Sequence, residues 1–475
     1  MDINENISIK DTDAKKRYKK EKLAMYLFKG GIIALFSLIL YFVWLKYFNP
    51  FVPTPFYRMG NYLLLALFVA IYSSFVNVYG GFAVGTSPVS DLVFSQIIAI
   101  GFLQFFSYVL FSLISYRLVS IWPFAGMFVA FSLFAVLWCF LANRVYFSIH
   151  IPKKTIVLFG NVDSYYSLKN IRSMKNRFDV VSTFNSEETP LEDIYESLKS
   201  VDAIFLCGVP SDYRNEVVKH CIAHDKVAYI KPKISDTIIR GGKTIQLLNI
   251  PVYRCKRKDN SNLMYQYVKR FFDIVLSLIA IVIASPVMLV TAIAIKAYDK
   301  GDVLYKQVRL TQNGKEFKVL KFRSMIQNAE KDGVARLASD NDDRITPIGK
   351  VIRMLRLDEL PQLFNILKGD MSFVGPRPER PEIAHQYETE MPEFALRLQV
   401  KAGLTGYAQV YGKYNTPPYD KVQMDLMYIA NQSFLEDIRL ILMTIKIMFI
   451  PSSTEGVNKD QKTALRANTE KDTEE

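Results

Sequence analysis

The sequence predicts a membrane protein with an N-terminal four-helix transmembrane bundle, a Rossmann-like α/β middle domain and a C-terminal α/β domain that contains a re-entrant membrane helix and interfacial amphipathic helices. Three observations support this prediction. Four apolar stretches of membrane-spanning length lie within residues 24–145. Short apolar runs alternate with polar helical stretches over residues 150–253. A fifth apolar stretch, interrupted by a proline and flanked by cations, begins the part at 262–450.

Composition and charge agree with a membrane location. Half of the 475 residues are hydrophobic, and the formal net charge is +13. A chain that is both apolar and basic fits a protein facing anionic lipids or phosphorylated substrates better than it fits a nucleic-acid binder. The four cysteines are scattered and form no paired motif, which favours a reduced, cytosolic setting over a disulfide framework.

The N-terminal region is predicted to cross the membrane four times. Residues 1–23 contain seven lysines and arginines and are expected to form a polar cytoplasmic tail, not a cleavable signal peptide. Cations return after the fourth span, so the positive-inside rule places both ends of the bundle in the cytoplasm. No span has an ionisable residue near its middle, which favours anchoring or oligomerisation over ion transport. The predicted spans are 26–45, 61–79, 92–115 and 121–142.

The middle domain has the alternating strand and helix pattern of a parallel sheet covered by helices. Its predicted strands run from Thr155 to Gly160, from Ala203 to Gly208 and from Val227 to Ile230. The first of them ends in Gly-Asn-Val-Asp, where a dinucleotide site would have Gly-x-Gly-x-x-Gly. We therefore predict no dinucleotide site. His220, Cys221 and His224 lie within one turn, but with no further ligand in view they do not predict a metal site.

The fifth apolar stretch, Phe271 to Ile295, has features that disfavour a simple crossing. Both flanks are basic, so crossing would place one cationic flank outside the cell. Ser285 and Pro286 lie near its centre, and a proline inside a helix removes a hydrogen bond and kinks the helix. These features predict a re-entrant helix over 270–296 that returns to the cytoplasmic face. The alternative is an ordinary fifth span with a proline kink.

A β-hairpin is predicted after this stretch, with Asn313 and Gly314 at its turn. Its second strand would present Lys321 and Arg323 on one face, because side chains two apart in a strand point the same way. Residues 326–345 are polar and acidic and are predicted to form a helix and a mobile loop.

Two adjacent carboxylates, Asp358 and Glu359, follow the hairpin and are surrounded in sequence by cations. Arg353 and Arg356 precede them, and Arg377 stands between prolines after them. We predict that the pair begins a helix ending at Gly369, beside an anion site, because helix N-termini favour negative charge and bind phosphate. The alternatives are a solvated helix start for the acids and a solvent-facing position for Arg353.

The C-terminal part is predicted to contain a glycine-rich passage around Gly403 and one amphipathic helix from Asp420 to Ile450. An apolar helix beside a basic surface can lie in the plane of a membrane interface. Residues 452–475 are polar and are predicted to be disordered.

Several motifs that occur in order over about 265–450 resemble the bacterial sugar transferase family, the polyprenyl-phosphate hexose-1-phosphate transferases. Four spans and a Rossmann-like domain before them resemble the long form of that family. The motifs are Lys-Arg-Phe-Phe-Asp273, Ser285-Pro286, Lys321-Phe-Arg-Ser-Met, Leu-Asp358-Glu359-Leu-Pro-Gln-Leu, Lys-Gly-Asp370-Met-Ser-Phe-Val-Gly-Pro-Arg377-Pro and Gly403-Leu-Thr-Gly-Tyr-Ala-Gln-Val.

The resemblance implies an enzyme of the bacterial inner (cytoplasmic) membrane that works on the cytoplasmic face. It would transfer hexose-1-phosphate, with glucose or galactose as the sugar, from a UDP-sugar to undecaprenyl phosphate and release UMP. This is the first membrane step of exopolysaccharide, capsule or O-antigen synthesis. The implied partners are the UDP-sugar, undecaprenyl phosphate and the lipid bilayer, with no nucleic acid; a homodimer is left open.

The resemblance also implies roles for individual residues. Asp358 would be the nucleophile that forms a covalent aspartyl-phosphosugar intermediate, and Glu359 would assist it as a base or as a ligand of Mg²⁺, with Asp358 as the other metal ligand. Carboxylates can act as covalent nucleophiles, and phosphoryl transfer depends on positioning and charge neutralisation. Lys321, Arg323, Arg353 and Arg377 would bind phosphate. Asp370 and Asp425 are candidates for supporting positions.

Two rival functions are also compatible with parts of the sequence. One is a membrane-bound nucleotide-sugar dehydratase or epimerase, which needs a nicotinamide fingerprint and a Tyr-x-x-x-Lys pair. Such pairs occur at Tyr18 with Lys22 and at Tyr265 with Lys269, but the glycine fingerprint is absent. The other rival is a catalytically inactive membrane scaffold, which the carboxylates and cations disfavour.

Overall fold

The computed structural model describes residues 2–160, 171–257, 263–326, 344–412 and 416–448. The chain divides into two compact units, Met1–Lys231 and Pro232–Glu475.

The first unit begins with four long helices, which confirm the predicted bundle. The helices are α1 (Asp2–Val43), α2 (Arg58–Val78), α3 (Val89–Ile114) and α4 (Trp122–Ile149). All four are long and apolar enough to cross a membrane. Residues spaced four apart on α1 form one buried stripe, since such side chains share a helix face. The stripe consists of Ile32, Phe36, Leu40 and Trp44, the last of them just beyond the helix end.

Two pairs of polar side chains buried in the bundle are hydrogen-bonded to each other. The Trp44 indole donates to Asn61 Oδ1 at 2.8 Å, and the Tyr72 hydroxyl donates to Gln96 Oε1 at 2.5 Å. Such pairs satisfy groups that lipid could not hydrogen-bond.

A four-stranded parallel sheet follows the bundle and confirms the predicted βαβ pattern. The strand order is β2-β1-β3-β4. The elements are β1 (Lys153–Phe159), β2 (Phe178–Asn185), α5 (Leu191–Lys199), β3 (Ala203–Cys207), α6 (Ser211–Ala223) and β4 (Val227–Ile230). Strand β2 was not predicted, because its polar residues interrupt the apolar run.

Gly160, at the end of β1, is needed for packing. A Cβ at this position would lie 2.5 Å from the carbonyl oxygen of Gly208, so only glycine allows the ends of β1 and β3 to approach. The rings of His220 and His224 stack with their centroids 4.1 Å apart. Across the described ranges, no group of three histidines, cysteines or acids is arranged to hold a metal.

The second unit begins with helix α7 (Ile234–Arg240) and a hairpin of β5 (Lys243–Leu247) and β6 (Ile250–Arg254). The hairpin was not predicted. Ile234 is buried in one cluster with Val422 and Leu426, so α7 packs within this unit.

Helix α8 (Leu263–Asp299) contains the fifth apolar stretch, with Pro286 inside it, and is long and apolar enough to cross a membrane. Near its start, Arg270 donates to the carbonyl oxygens of Ile366 and Leu367, at 2.6 and 2.7 Å. At its far end, the Asp299 carboxylate pairs with Arg323. Both ends of α8 are therefore held by residues of the same unit. The re-entrant path through a membrane stays a prediction.

The hairpin predicted next is confirmed as β7 (Leu304–Leu310) paired with β8 (Glu316–Phe322). Asn313 and Gly314 at its turn have φ of 60° and 73°, the left-handed region that asparagine and glycine tolerate best. The helix and mobile loop predicted for 326–345 lie mostly outside the described residues.

The remaining helices are α9 (Pro347–Met354), α10 (Gln362–Lys368), α11 (Pro381–Glu390), α12 (Tyr407–Val410), α13 (Pro418–Ala430) and α14 (Phe434–Met448). Strands β9 (Ser372–Val374) and β10 (Gly403–Thr405) pair in parallel. The single helix predicted from Asp420 to Ile450 is wrong, because the chain breaks at Asn431. The Asn431 amide donates to the carbonyl of Met427 and ends α13, and Ser433 Oγ accepts from the Glu436 amide and begins α14. The predicted disordered tail lies outside the described residues.

Candidate active site

The carboxylate pair stands on a short 3₁₀ turn, Leu357–Glu359, between α9 and α10. Thr346 caps α9 by accepting from the Gly349 amide at 2.9 Å. The residue before the turn, Arg356, has φ of 53°, a left-handed conformation that stops the chain from continuing as α9. The prediction of one helix from Asp358 is therefore wrong: α10 begins at Gln362, after Pro361. Its end at Gly369, with φ of 100°, is confirmed.

Glu359 is held by two cations. Its Oε1 accepts from Lys321 Nζ at 3.2 Å and from Arg377 Nη2 at 2.8 Å. Burial alone would raise the pKa of Glu359, but the charges of Arg377 and Lys321 outweigh it and hold the pKa well below its usual range. Glu359 is therefore ionised at neutral pH and fixed in position.

Asp358 is in a different state from its neighbour. Among the residues that the structure describes, none donates a hydrogen bond to its carboxylate. Burial, and then the charge of Glu359, raise the pKa of Asp358 to about 6, while Lys321, Arg353 and Arg377 oppose the rise. At neutral pH this carboxylate is ionised, has no hydrogen bond from a described residue and lies near several cations.

Lys321 comes from β8, as its strand position predicted. Burial lowers the pKa of its ammonium group, and the charge of Glu359 acts in the opposite direction. Arg377 follows β9, and its pKa is raised chiefly by the charge of Glu359. Lys321 on β8 and Arg377 after β9 are far apart in the sequence, yet both contact Oε1 of Glu359.

The other predicted site residues occupy different surroundings. Arg353 lies in the last turn of α9, close enough to lower the pKa of Asp358 by its charge. Arg323 pairs with Asp299, the last residue of α8. Asp370 lies 3.1 Å from Lys368 Nζ, and Asp425 is buried beside Arg397 at 2.7 Å.

Ser285, at the predicted helix break, donates its hydroxyl to the carbonyl of Val282 at 2.8 Å and so bonds within α8. Arg309 and Arg397, which contact the chain next to Arg377, were not predicted. No motif in the sequence connects either residue to the site.

The carboxylates of Asp358 and Glu359 have the oxygen donors that Mg²⁺ prefers. Mg²⁺ sites use one or two carboxylates, completed by water and substrate phosphates, instead of a full cage of protein ligands. Asp358 and Glu359 are adjacent carboxylates, and no third acid, histidine or cysteine joins them in a group within the described ranges. Both residues therefore fit a metal that a phosphorylated ligand helps to hold.

These features define a class: a multi-pass membrane protein whose C-terminal α/β unit holds a carboxylate pair among cations. Residues 264–451 match the family model described as bacterial sugar transferase. A relative from Salmonella typhimurium, an undecaprenyl-phosphate galactose phosphotransferase, is 31% identical over 338 residues, which are 62% of this chain and 68% of the relative. The chain belongs to the bacterial sugar transferase family.

Two further relatives match a shorter segment. A UDP-N-acetylgalactosamine-undecaprenyl-phosphate N-acetylgalactosaminephosphotransferase from Aeromonas hydrophila is 44% identical over 38% of this chain and 44% of its own length. A UDP-glucose:undecaprenyl-phosphate glucose-1-phosphate transferase from Klebsiella pneumoniae is 42% identical over 39% of this chain and 41% of its own length. The match therefore spans less than half the length of these two relatives.

Proposed function

We propose that this chain transfers a sugar 1-phosphate from a UDP-sugar to undecaprenyl phosphate, giving undecaprenyl-diphosphate-sugar and UMP. The observation that carries the proposal is the contrast within the carboxylate pair. Glu359 is fixed by Lys321 and Arg377, whereas Asp358 receives no hydrogen bond from a described residue. The family and the names of its relatives supply the substrate classes.

The reaction proceeds in two displacements at one phosphorus atom. A carboxylate oxygen of Asp358 attacks the β-phosphorus of the UDP-sugar. The bond from that phosphorus to the bridging oxygen breaks, and UMP leaves with the electron pair. The acyl phosphate on Asp358 then carries the sugar. A phosphate oxygen of undecaprenyl phosphate attacks the same phosphorus, forms the diphosphate and frees the Asp358 carboxylate.

The cations around the pair bind and orient the donor. Lys321 and Arg377 lie within hydrogen-bond distance of Glu359 and would face the diphosphate beside it. Arg353 adds a third positive charge near Asp358. Preorganised cations are the main means by which proteins catalyse phosphoryl transfer. We assign Arg323 no phosphate contact, because its Nη2 pairs with Asp299 at the end of α8.

Asp358 and Glu359 would hold Mg²⁺. When bound, the metal supplies positive charge against the diphosphate of the donor. Glu359 stays ionised because of its two cations, so it can serve as an oxygen ligand at neutral pH.

The site is proposed to face the cytoplasm of a bacterial inner membrane, where nucleotide sugars are made. The basic flanks of α8, and the attachment of both its ends to one unit, support a re-entrant path over a full crossing. The product would begin the assembly of exopolysaccharide, capsule or O-antigen units. Relatives named for glucose, galactose and N-acetylgalactosamine define the set of sugars to test.

The proposal is tested by supplying the purified full chain with Mg²⁺, undecaprenyl phosphate and each of UDP-glucose, UDP-galactose and UDP-N-acetylgalactosamine. Release of UMP with at least one donor is expected. NAD-dependent conversion of the sugar would favour the dehydratase or epimerase instead. An absence of UMP with every donor would favour the inactive scaffold.

A further inference from the structure

We propose that Arg397 is a positioning residue: from a buried ion pair with Asp425 it holds the main chain of Arg377 and so aims the Arg377 side chain at the donor diphosphate. This inference rests on the proposed function for the identity of the donor. The contacts that carry it belong to residues outside the carboxylate pair.

The segment 372–379, which contains Arg377, is fixed residue by residue. One main-chain group of each residue is hydrogen-bonded to a residue outside the segment. The bonds are Ser372 N to Ala402 O, Phe373 N to Asp273 Oδ1, Val374 O from Tyr428 OH, Gly375 N to Thr405 O, Pro376 O from Gly403 N, Arg377 O from Arg397 Nη2, Pro378 O from Arg309 Nη1 and Glu379 O from Leu310 N.

Arg377 stands between Pro376 and Pro378, and this explains why its carbonyl matters. Proline has no N–H and cannot donate a hydrogen bond. Around Arg377 the chain can therefore be held mainly through carbonyl oxygens, which need donors. Arg397 Nη2 reaches the Arg377 carbonyl at 2.9 Å, and Arg309 Nη1 reaches the Pro378 carbonyl at 3.1 Å.

The Arg397 guanidinium is itself fixed from several sides. Its side chain is 5% exposed and lies 2.7 Å from Asp425 Oδ2, whose side chain is 1% exposed. Its Nη1 lies 3.9 Å from Glu379, and its guanidinium carbon lies 4.9 Å from the centre of the Phe394 ring. Nη2 contacts both the Arg377 carbonyl and Asp425, while Nη1 faces Glu379, so two nitrogens of the planar guanidinium are placed at once. A lysine ammonium offers one compact charge and has no second nitrogen to face Glu379.

A buried ion pair is weak grounds for stability by itself, because its desolvation cost offsets the attraction. Replacing both partners by apolar side chains is often neutral for folding. A purely structural pair would tolerate that exchange with activity intact. If the pair positions Arg377, the exchange preserves the fold but leaves the Arg377 side chain misaligned with the donor. A displacement of about 1 Å in a positioning group can lower the rate about 100-fold.

The main test is the double substitution Arg397→Met with Asp425→Leu, compared with the full-length wild type and with Lys219→Met, an exposed lysine paired to Glu216 in the other unit. The measurements are thermal stability, kcat/KM with the UDP-sugar, and the affinity for UDP by calorimetry. We expect near wild-type stability and a loss of about 10- to 100-fold in kcat/KM, with weaker UDP binding. Wild-type kcat/KM and UDP affinity in a stable double variant would overturn the proposal.

Arg377→Met in both backgrounds tests whether Arg397 acts through Arg377. In the wild-type background, Arg377→Met should lower kcat/KM by a large factor. In the double variant it should lower kcat/KM little further, because the Arg377 side chain is already misaligned there. An equally large loss of kcat/KM in both backgrounds would overturn the proposal.

Arg397→Lys keeps a positive charge beside Asp425 and provides the same test if the apolar pair does not fold. We expect it to stay folded with reduced kcat/KM and UDP affinity; wild-type values would overturn the proposal. A wild type that releases no UMP would reject the proposed function instead, and UDP affinity would then test the positioning alone.

Discussion

Asp358 and Glu359 are neighbours in the chain, yet cations hold only Glu359 at hydrogen-bond distance. Glu359 Oε1 accepts from Lys321 and Arg377, while Asp358 receives no hydrogen bond from a described residue. Burial raises the pKa of Asp358, whereas at Glu359 the charges of Arg377 and Lys321 outweigh burial and lower the pKa. Such a separation is the usual sign that two acids have different roles in one site.

Asp358→Asn should abolish UMP release, since an amide oxygen cannot form the acyl phosphate. A loss of about 10⁴-fold or more in kcat is expected, as for other removed nucleophiles. Stability should change little, because the substitution preserves shape and breaks no hydrogen bond to a described residue. The measurement is UMP release beside thermal unfolding. Asp225→Asn, at an exposed acid in the other unit, is the control. Full turnover by Asp358→Asn would remove Asp358 as nucleophile.

The pH dependence of kcat/KM should follow the ionisation of Asp358. Its pKa is raised to about 6, chiefly by burial, and the attacking form is the carboxylate. Activity should therefore be full above that pH and fall about tenfold per pH unit well below it. Glu359 cannot cause this fall, because its pKa lies far lower. A profile that stays flat down to pH 5 would contradict the assignment.

Arg323 and Asp299 should behave as a structural pair, in contrast to Lys321. Arg323→Met and Asp299→Asn are each expected to lower the thermal unfolding temperature, because their contact joins the end of α8 to the end of β8. The KM for the UDP-sugar should stay within about threefold, whereas Lys321→Met should raise it about tenfold or more. A large rise in KM for Arg323→Met alone would restore its predicted role in phosphate binding.

The path of α8 can be tested by cysteine labelling in intact cells. In a Cys255→Ser background, which removes the exposed cysteine, Lys300→Cys should react only with reagents that enter the cytoplasm. Tyr57→Cys, which lies in the loop after the first span, should react from outside and serves as the control. External labelling at position 300 would instead support a full fifth crossing.

Regular patterns in the sequence predicted the four spans, three sheet strands and the β7–β8 hairpin, because each has strong local periodicity or a defined turn. The long final helix was wrong because Asn431 and Ser433 end and begin helices through their own side chains, which periodicity does not register. Strand β2 was missed because its apolar pattern is interrupted.

The carboxylate pair and three of its cations, Lys321, Arg353 and Arg377, could be predicted because motifs mark them. Arg309 and Arg397 could not, since they lie 69 and 20 residues from the carbonyls they contact. Only the folded chain brings their guanidinium groups to Pro378 and Arg377. The pairing of Arg323 with Asp299 could not be predicted either. Strand alternation predicts the face of the strand on which a side chain lies, but not the residue that it contacts.

The central claim is that Asp358 carries the sugar phosphate covalently. The most direct measurement is mass spectrometry of the full chain after brief mixing with a UDP-sugar and Mg²⁺ in the absence of undecaprenyl phosphate. We predict a mass gain of one sugar phosphate, located on the peptide that contains Asp358, together with one equivalent of UMP, and loss of that mass when undecaprenyl phosphate is added. Turnover without any adduct, or an adduct on another residue, would contradict the account.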